Sequence, residues 1–444
     1  MAVPVTILCG ALGAGKTTLL SQLLEQDDRE IAVVVNDVGE VNVDADLVET
    51  RTDLETGEEV VALENGCICC SLGGDLSRAV VNLWKRHDFD ALVVEASGVG
   101  EPEPIAHQFV RGPAGGPYDL DAIVTVVNAR QFSDTFLADG TSEPPTQSEP
   151  DEAGTRPLSD LLLEQIEFCD LLVVNKCDLV SETELGAVVD ALEALQPRAA
   201  IHTTSYGDLA VDTVLDTGLF DFSVAREAAG WKRAIDGDDG HSFYEHDHDD
   251  SDNDPDDDDD HDHGLHHQDD HDHDHDGHDH ARDHVHPLER YGIVVDTYHR
   301  VRPFHPERLV EFLEHPPDGL IRMKGLTWVA GREEQAITMS LAATETSLEV
   351  TGRWIASFSA QQQETYRASQ PDLPWDDTWG DRETRLAVIG HDLELDPLFD
   401  RLDECLVTDA ELEAGPERWS TFENPTPTAM NRTVVVSSAE RECW

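Results

Sequence analysis

Apolar and polar positions follow two regimes along this chain. In the first half, unbroken apolar runs rich in β-branched residues recur at residues 3–9 (VPVTILC), 31–37 (IAVVVND), 91–98 (ALVVEASG), 122–129 (AIVTVVNA) and 170–178 (DLLVVNKCD). Runs without alternation predict strands buried on both faces. The helical stretches between them, such as residues 16–26, predict a parallel sheet with helices on both faces. Such a sheet binds ligands at the loops after the C-terminal ends of its strands. In the second half residues 291–300 alternate and strand-like pieces recur at 320–330, 334–342, 347–356 and 384–392, with an amphipathic helix expected at 306–315 and a closing helix at 395–407. Strands and helices no longer take turns there, which predicts a smaller α+β domain with a largely antiparallel sheet.

Two stretches break the pattern. Residues 139–157 are polar and proline-rich and predict a surface loop. Residues 236–286 are almost entirely Asp and His and hold 14 of the 21 histidines. That composition cannot bury enough apolar surface to offset chain entropy, so a disordered linker is expected. Neither a signal peptide nor an apolar run long enough to span a membrane is visible, and the chain is read as cytoplasmic.

Charge narrows the class of partner. Acidic residues number 93 against 30 basic ones, a formal net charge of −63, and lysine occurs only at 16, 85, 176, 232 and 324. The excess acid lies outside any motif and reads as halophilic, with carboxylates holding water while salt screens their repulsion. Nucleic acid is not an expected partner, because no basic face exists to neutralise phosphates.

The chemistry is concentrated in the first half. Residues 10–17 (GALGAGKT) fit G-x-x-x-x-G-K-[ST] between a strand and a helix. Gly10, Gly13, Ala14 and Gly15 let backbone amides turn toward phosphate oxygens, and Thr18 opens the helix beside them. Lys16 neutralises the β/γ-phosphates, and the Thr17 hydroxyl is a Mg²⁺ ligand. Asn175, Lys176 and Asp178 form N-K-x-D at a strand end; that carboxylate matches the N1–H and 2-amino group of guanine, which selects GTP. Asp37 and Glu40 follow the second strand and are candidates for positioning the attacking water. Glu95 ends the third strand, where a carboxylate holds Mg²⁺ directly or through water, and Ser97-Gly98 follow as a γ-phosphate sensor.

Three of the eight cysteines, Cys67, Cys69 and Cys70, fall within four residues, just before an apparent helix start. Thiolates there have lowered pKa values and suit a soft or borderline ion, and three ligands leave a fourth tetrahedral position open for exchange. The other five are scattered, which is not a disulfide framework.

GALGAGKTT, ENGCICCSL, VEASGVGEP and NKCD, in this order, resemble the CobW-type GTPases, a metallochaperone family related to the urease and hydrogenase nickel-insertion GTPases. RPFHPERL (302–309), RMKGLTWVA (322–330), GRW (352–354) and GDRETRLAVIG (380–390) are similar to that family's C-terminal domain. The resemblance implies an α/β P-loop NTPase domain over 1–223, a His/Asp-rich linker over 224–287, a CobW-type α+β domain over 288–412, and an unassigned tail over 413–444. It further implies slow GTP hydrolysis with Mg²⁺, coupled to a metal at the Cys-x-Cys-Cys site, Zn²⁺ or Co²⁺, for delivery to a metalloprotein client. Two departures stand out: Asp37-Val38 replaces the family's Glu-Phe, and the linker is unusually long. Its His271, His273 and His275 supply imidazoles for a low-affinity metal store. Cobalt handling for cobalamin synthesis, or metal storage and sensing with GTP as a conformational signal, are the alternatives.

Overall fold

The structure is a computed structural model that describes residues 2–26, 29–36, 60–63, 73–98, 100–137, 157–221, 291–369, 373–430 and 432–437. Asp37, Glu40, Cys67, Cys69, Cys70, His271, His273 and His275 lie outside them, as do the expected loop over 139–156 and the linker over 236–286.

The first sheet is built from β1 (Val3–Gly10), β2 (Ile31–Asn36), β3 (Val60–Leu63), β4 (Ala91–Glu95), β5 (Tyr118–Asn128), β6 (Leu171–Asn175) and β7 (Ala200–Thr203), in spatial order β3-β2-β4-β1-β5-β6-β7. Every pairing in it is parallel. Its central strands are buried end to end, as their unbroken apolar runs require. The connecting helices are α1 (Lys16–Gln26), α2 (Gly73–Arg86), α3 (Pro102–Val110), α4 (Leu158–Glu167) and α5 (Glu182–Leu195). Two apolar clusters sandwich the sheet, one containing Leu19, Leu20 and Leu23 of α1, the other Ile105, Leu163 and Leu192 of α3, α4 and α5. The order reverses between β4 and β5 around β1, so the loop after β1 opens at a switch point.

The second sheet is antiparallel and has order β13-β11-β10-β9-β12-β8. Its strands are β8 (Ile293–Arg300), β9 (Leu320–Thr327), β10 (Gln335–Ala342), β11 (Glu345–Arg353), β12 (Thr384–His391) and β13 (Thr433–Ser437). One face packs on α6 (Pro306–Glu314) and α8 (Leu395–Glu404) through Tyr298, Met323, Ile337, Leu386, Leu309 and Leu402. Helix α7 (Ala360–Ser369) is solvent-facing and buries none of its residues. The expected domain end at 412 falls inside α9 (Asp409–Trp419), which a Thr408/Glu411 capping box starts. Its Trp419 is fully buried beside Trp328, and β13 then pairs with β11. The segment after 412, without a reading from sequence, therefore carries the edge strand of the sheet.

The two sheets share a core. Ile293, Ile321, Ala342 and Ile389 belong to the same apolar cluster as Leu163 and Leu192. Inside this contact Arg322 of β9 has no exposed surface and binds Glu167 at 2.7 Å and Asp160 at 2.7 Å, both from α4. Burial opposes its charge, but the two carboxylates outweigh that and raise the guanidinium above its ordinary pKa. Lys324 reaches Glu164 and Glu167 from the same strand, and Ser340 and Ser347 donate to Asp160. Asp160, Glu164 and Glu167 recur at helical spacing, so a single face of α4 presents all three.

Candidate nucleotide-binding site

β1 ends at Gly10, whose φ of +139° turns the chain directly over β5; a side chain there would strike the Val126 carbonyl. The loop then winds into α1 at Lys16. Lys16 is 6% exposed, and its Nζ donates to the Gly10 carbonyl at 2.8 Å and the Ala11 carbonyl at 3.4 Å. Among the described residues it forms no ion pair, so its charge is compensated only by dipoles and can accept a phosphate.

Glu95 ends β4, 2% exposed, and its Oε1 accepts the Thr17 hydroxyl at 3.2 Å. A hydroxyl and a carboxylate in contact at the mouth of the loop make an all-oxygen donor pair, which fits the hard ion Mg²⁺. The turn after β4 comes close to the loop: a Cβ on Gly98 would stand 2.8 Å from the Leu12 amide nitrogen. The N–H of Gly100 donates to the Ser97 carbonyl at 2.9 Å, and Ser97 is itself buried. The geometry thus joins Lys16, Thr17, Glu95, Ser97 and Gly98, which lie far apart in sequence.

The Asn-Lys-x-Asp motif docks onto the same loop. Asn175 ends β6, 2% exposed, and its amide donates to the Ala14 carbonyl at 3.0 Å while its Oδ1 accepts the Lys176 N–H at 2.8 Å. Gly15, at φ +107°, is the one residue type that leaves room, because a Cβ there would collide with the Asn175 amide. Lys176 adopts a left-handed conformation, φ +60°, and its Nζ donates to the Gly13 carbonyl at 2.6 Å. Asp178 is exposed on the following turn, open to a ligand. Ala14 is buried against α1, and Thr18 lies in its first turn.

Sequence reading missed one segment. The turn after β7, Thr204 to Asp208, donates the Gly207 N–H to Asn175 Oδ1 at 3.2 Å and leaves Tyr206 72% exposed at φ +61°. It completes the rim on the side of the Asn-Lys-x-Asp motif. Its signal was the Ser-Tyr-Gly-Asp turn chemistry, concealed because β7 is short and largely exposed.

The described cysteines are buried or half-buried thiols. Cys9, Cys169, Cys177 and Cys405 are all free, and burial raises each thiol, Cys9 to about 12 and Cys405 to about 11. Among the described residues no group of three or more His, Cys, Asp or Glu is placed to hold a metal. No described helix is long and apolar enough to cross a membrane.

A strand, a phosphate loop, a strand-terminal carboxylate on the loop threonine and an Asn-Lys-x-Asp turn docked on that loop define a P-loop GTPase. Residues 4–203 match the CobW/HypB/UreG nucleotide-binding domain and residues 293–406 the cobalamin synthesis protein cobW C-terminal domain; the chain belongs to this family. A relative from Dictyostelium discoideum named zinc-regulated GTPase metalloprotein activator 1 is 31% identical over 442 residues, covering 95% of this chain and 83% of its own length. A zinc chaperone CobW from Sinorhizobium sp is 30% identical over 223 residues, 49% of this chain and 63% of the relative. The solved Zn(II)-bound YjiA GTPase from E. coli covers 91% of this chain and 99% of its own at 19% identity and a TM-score of 0.38.

Proposed function

We propose that the protein is a GTP-hydrolysing metallochaperone that carries zinc on Cys67, Cys69 and Cys70 and releases it to a metalloprotein client under control of the nucleotide. The observation that carries the GTP half is the contact of Thr17 with Glu95 beside a buried Lys16 that makes no ion pair among the described residues. In this reading the Gly10–Gly15 amides and Lys16 bind the phosphates, and Asp178 selects guanine. Thr17 and Glu95 would hold Mg²⁺, which would neutralise phosphate charge. Asp37 and Glu40 are the proposed groups that orient the attacking water.

The zinc half rests on donor chemistry and on the relatives. Three thiolates suit a borderline ion, and the Dictyostelium and Sinorhizobium relatives are named for zinc, which favours zinc over cobalt. The Cys segment runs into α2, and Ser77 of α2 donates to Gln108 of α3 at 2.7 Å. Helix α3 starts soon after Gly100, so the helix that follows the Cys segment in sequence is bonded to the helix that follows the proposed γ-phosphate sensor, which supports coupling between the two. His271, His273 and His275 would feed the site as a weak store.

The test is a zinc competition titration of the full chain with and without a non-hydrolysable GTP analogue. The wild type is expected to bind one tight zinc whose affinity shifts with the analogue, and C67S/C69S/C70S to lose it. A triple variant that keeps the tight zinc, or a wild-type affinity indifferent to nucleotide, refutes this function.

A further inference from the structure

Helix α4 carries a second set of contacts on the side away from its carboxylates. Gln165 lies about 140° around the helix from Asp160, by the rotation of 100° per residue. It is fully buried, and its side-chain amide donates to the Gly100 carbonyl at 2.8 Å. That carbonyl closes the turn whose N–H already reaches Ser97. The helix is pinned at this point from the sheet as well, since Thr125 of β5 donates its hydroxyl to the Gln165 carbonyl at 2.9 Å. Gln165 Oε1 is buried and has no hydrogen-bond partner among the described residues. A buried amide half-satisfied in this way is costly, so packing alone gives no reason for a glutamine here.

We infer that Gln165 is a positioning residue for GTP recognition: it fixes the Ser97–Gly100 turn and ties it, through α4, to the C-terminal domain. The opposite face of α4 is held by Arg322 and Lys324, and Gln196 donates to the Glu167 carbonyl at 2.6 Å at the helix end. A turn anchored to such a strut cannot shift toward or away from a γ-phosphate without pulling on the Arg322 network. The γ-phosphate and the C-terminal domain therefore bias one element, which makes them thermodynamically coupled. This inference rests on the reading of the site as a GTP switch.

The test compares the affinities of the full chain for GDP and for a non-hydrolysable GTP analogue. Q165L is near in volume and removes only the amide. It should weaken the analogue about tenfold while leaving GDP within twofold, because GDP has no γ-phosphate to report on the turn. R322M should weaken the analogue in the same direction, and the double variant should lose less than the product of the two single losses. Equal losses for GDP and analogue, no loss for either, or fully multiplicative losses overturn the inference. If Q165L fails to fold, Q165M replaces it; failure of both means a purely structural role and likewise overturns it. A wild type that binds no analogue at all would instead overturn the underlying reading.

Discussion

Two buried cations carry this molecule's two central contacts, and they are held in opposite ways. Arg322 sits at the junction of the sheets with two carboxylates in direct contact. Lys16 sits under the phosphate loop, donating to carbonyl oxygens and making no ion pair among the described residues. Both are almost fully buried, so the difference lies in what compensates the charge. A cation satisfied by carboxylates is finished and serves architecture; one satisfied by dipoles is still receptive and serves binding. In a chain with 93 acidic residues, keeping carboxylates off Lys16 is the more demanding arrangement.

The comparison can be broken most sharply at Arg322. Replacing it with methionine takes the guanidinium from buried Asp160 and Glu167, leaving Glu167 with the longer Lys324 contact at 3.4 Å, and should cost about 3–5 kcal/mol of stability. Denaturant unfolding at fixed high salt measures this; a loss under about 1 kcal/mol would mean the pair is open to water. At Lys16 the expectation inverts. K16A should lower GTP affinity about 100-fold, near 2.7 kcal/mol, with a much smaller stability loss than R322M, because it orphans a carbonyl and no buried charge. A large stability loss would show that Lys16 is architectural after all.

Asp170, at the opposite end of β6, sharpens the contrast with the smallest effect. It is a half-buried carboxylate held by a backbone amide, from Ile123 at 2.8 Å. Burial pushes its pKa up to about 7, more than that amide and Arg198 draw it down. A carboxyl raised on folding binds its proton more tightly in the native state, so its contribution is full below about pH 4 and is lost as pH rises toward 7. D170N keeps an acceptor for the amide and cannot ionise. Its stability relative to wild type should therefore rise by about 1 kcal/mol between pH 4 and 7 and stay level above, partial exposure and salt screening the remainder. A difference that is flat across this range would place Asp170 in water.

Much of the site was legible because each motif is local. The strand before Gly10, the helix from Lys16, the strand ending at Glu95 and the strand ending at Asn175 all stand where the apolar runs placed them. The second sheet was legible as alternation in β8 and as strand-like runs at β9 through β12. What escaped the pattern was short or polar: β7, the turn at Gly207, the exposed helix α7, and α9 with β13 beyond residue 412. The β-branched run of β13 favours a strand by its own residues, but its place at the sheet edge follows from the edge that β11 offers it.

The sequence by itself determined the class of chemistry, because a phosphate loop needs glycines, a lysine and a threonine at fixed spacing, and those constraints act between neighbours in the chain. It also set the two fold regimes, since strand burial on two faces or one is written in the period of apolar residues. Tertiary structure alone decided what those parts do to one another. Nothing in residues 158–167 says that Asp160, Glu164 and Glu167 face Arg322 and Lys324 more than 150 positions away, or that Gln165 reaches Gly100. Such pairings depend on how two sheets dock, a long-range outcome of shared apolar burial, and only once they have docked does a polar helix become a link between domain and loop.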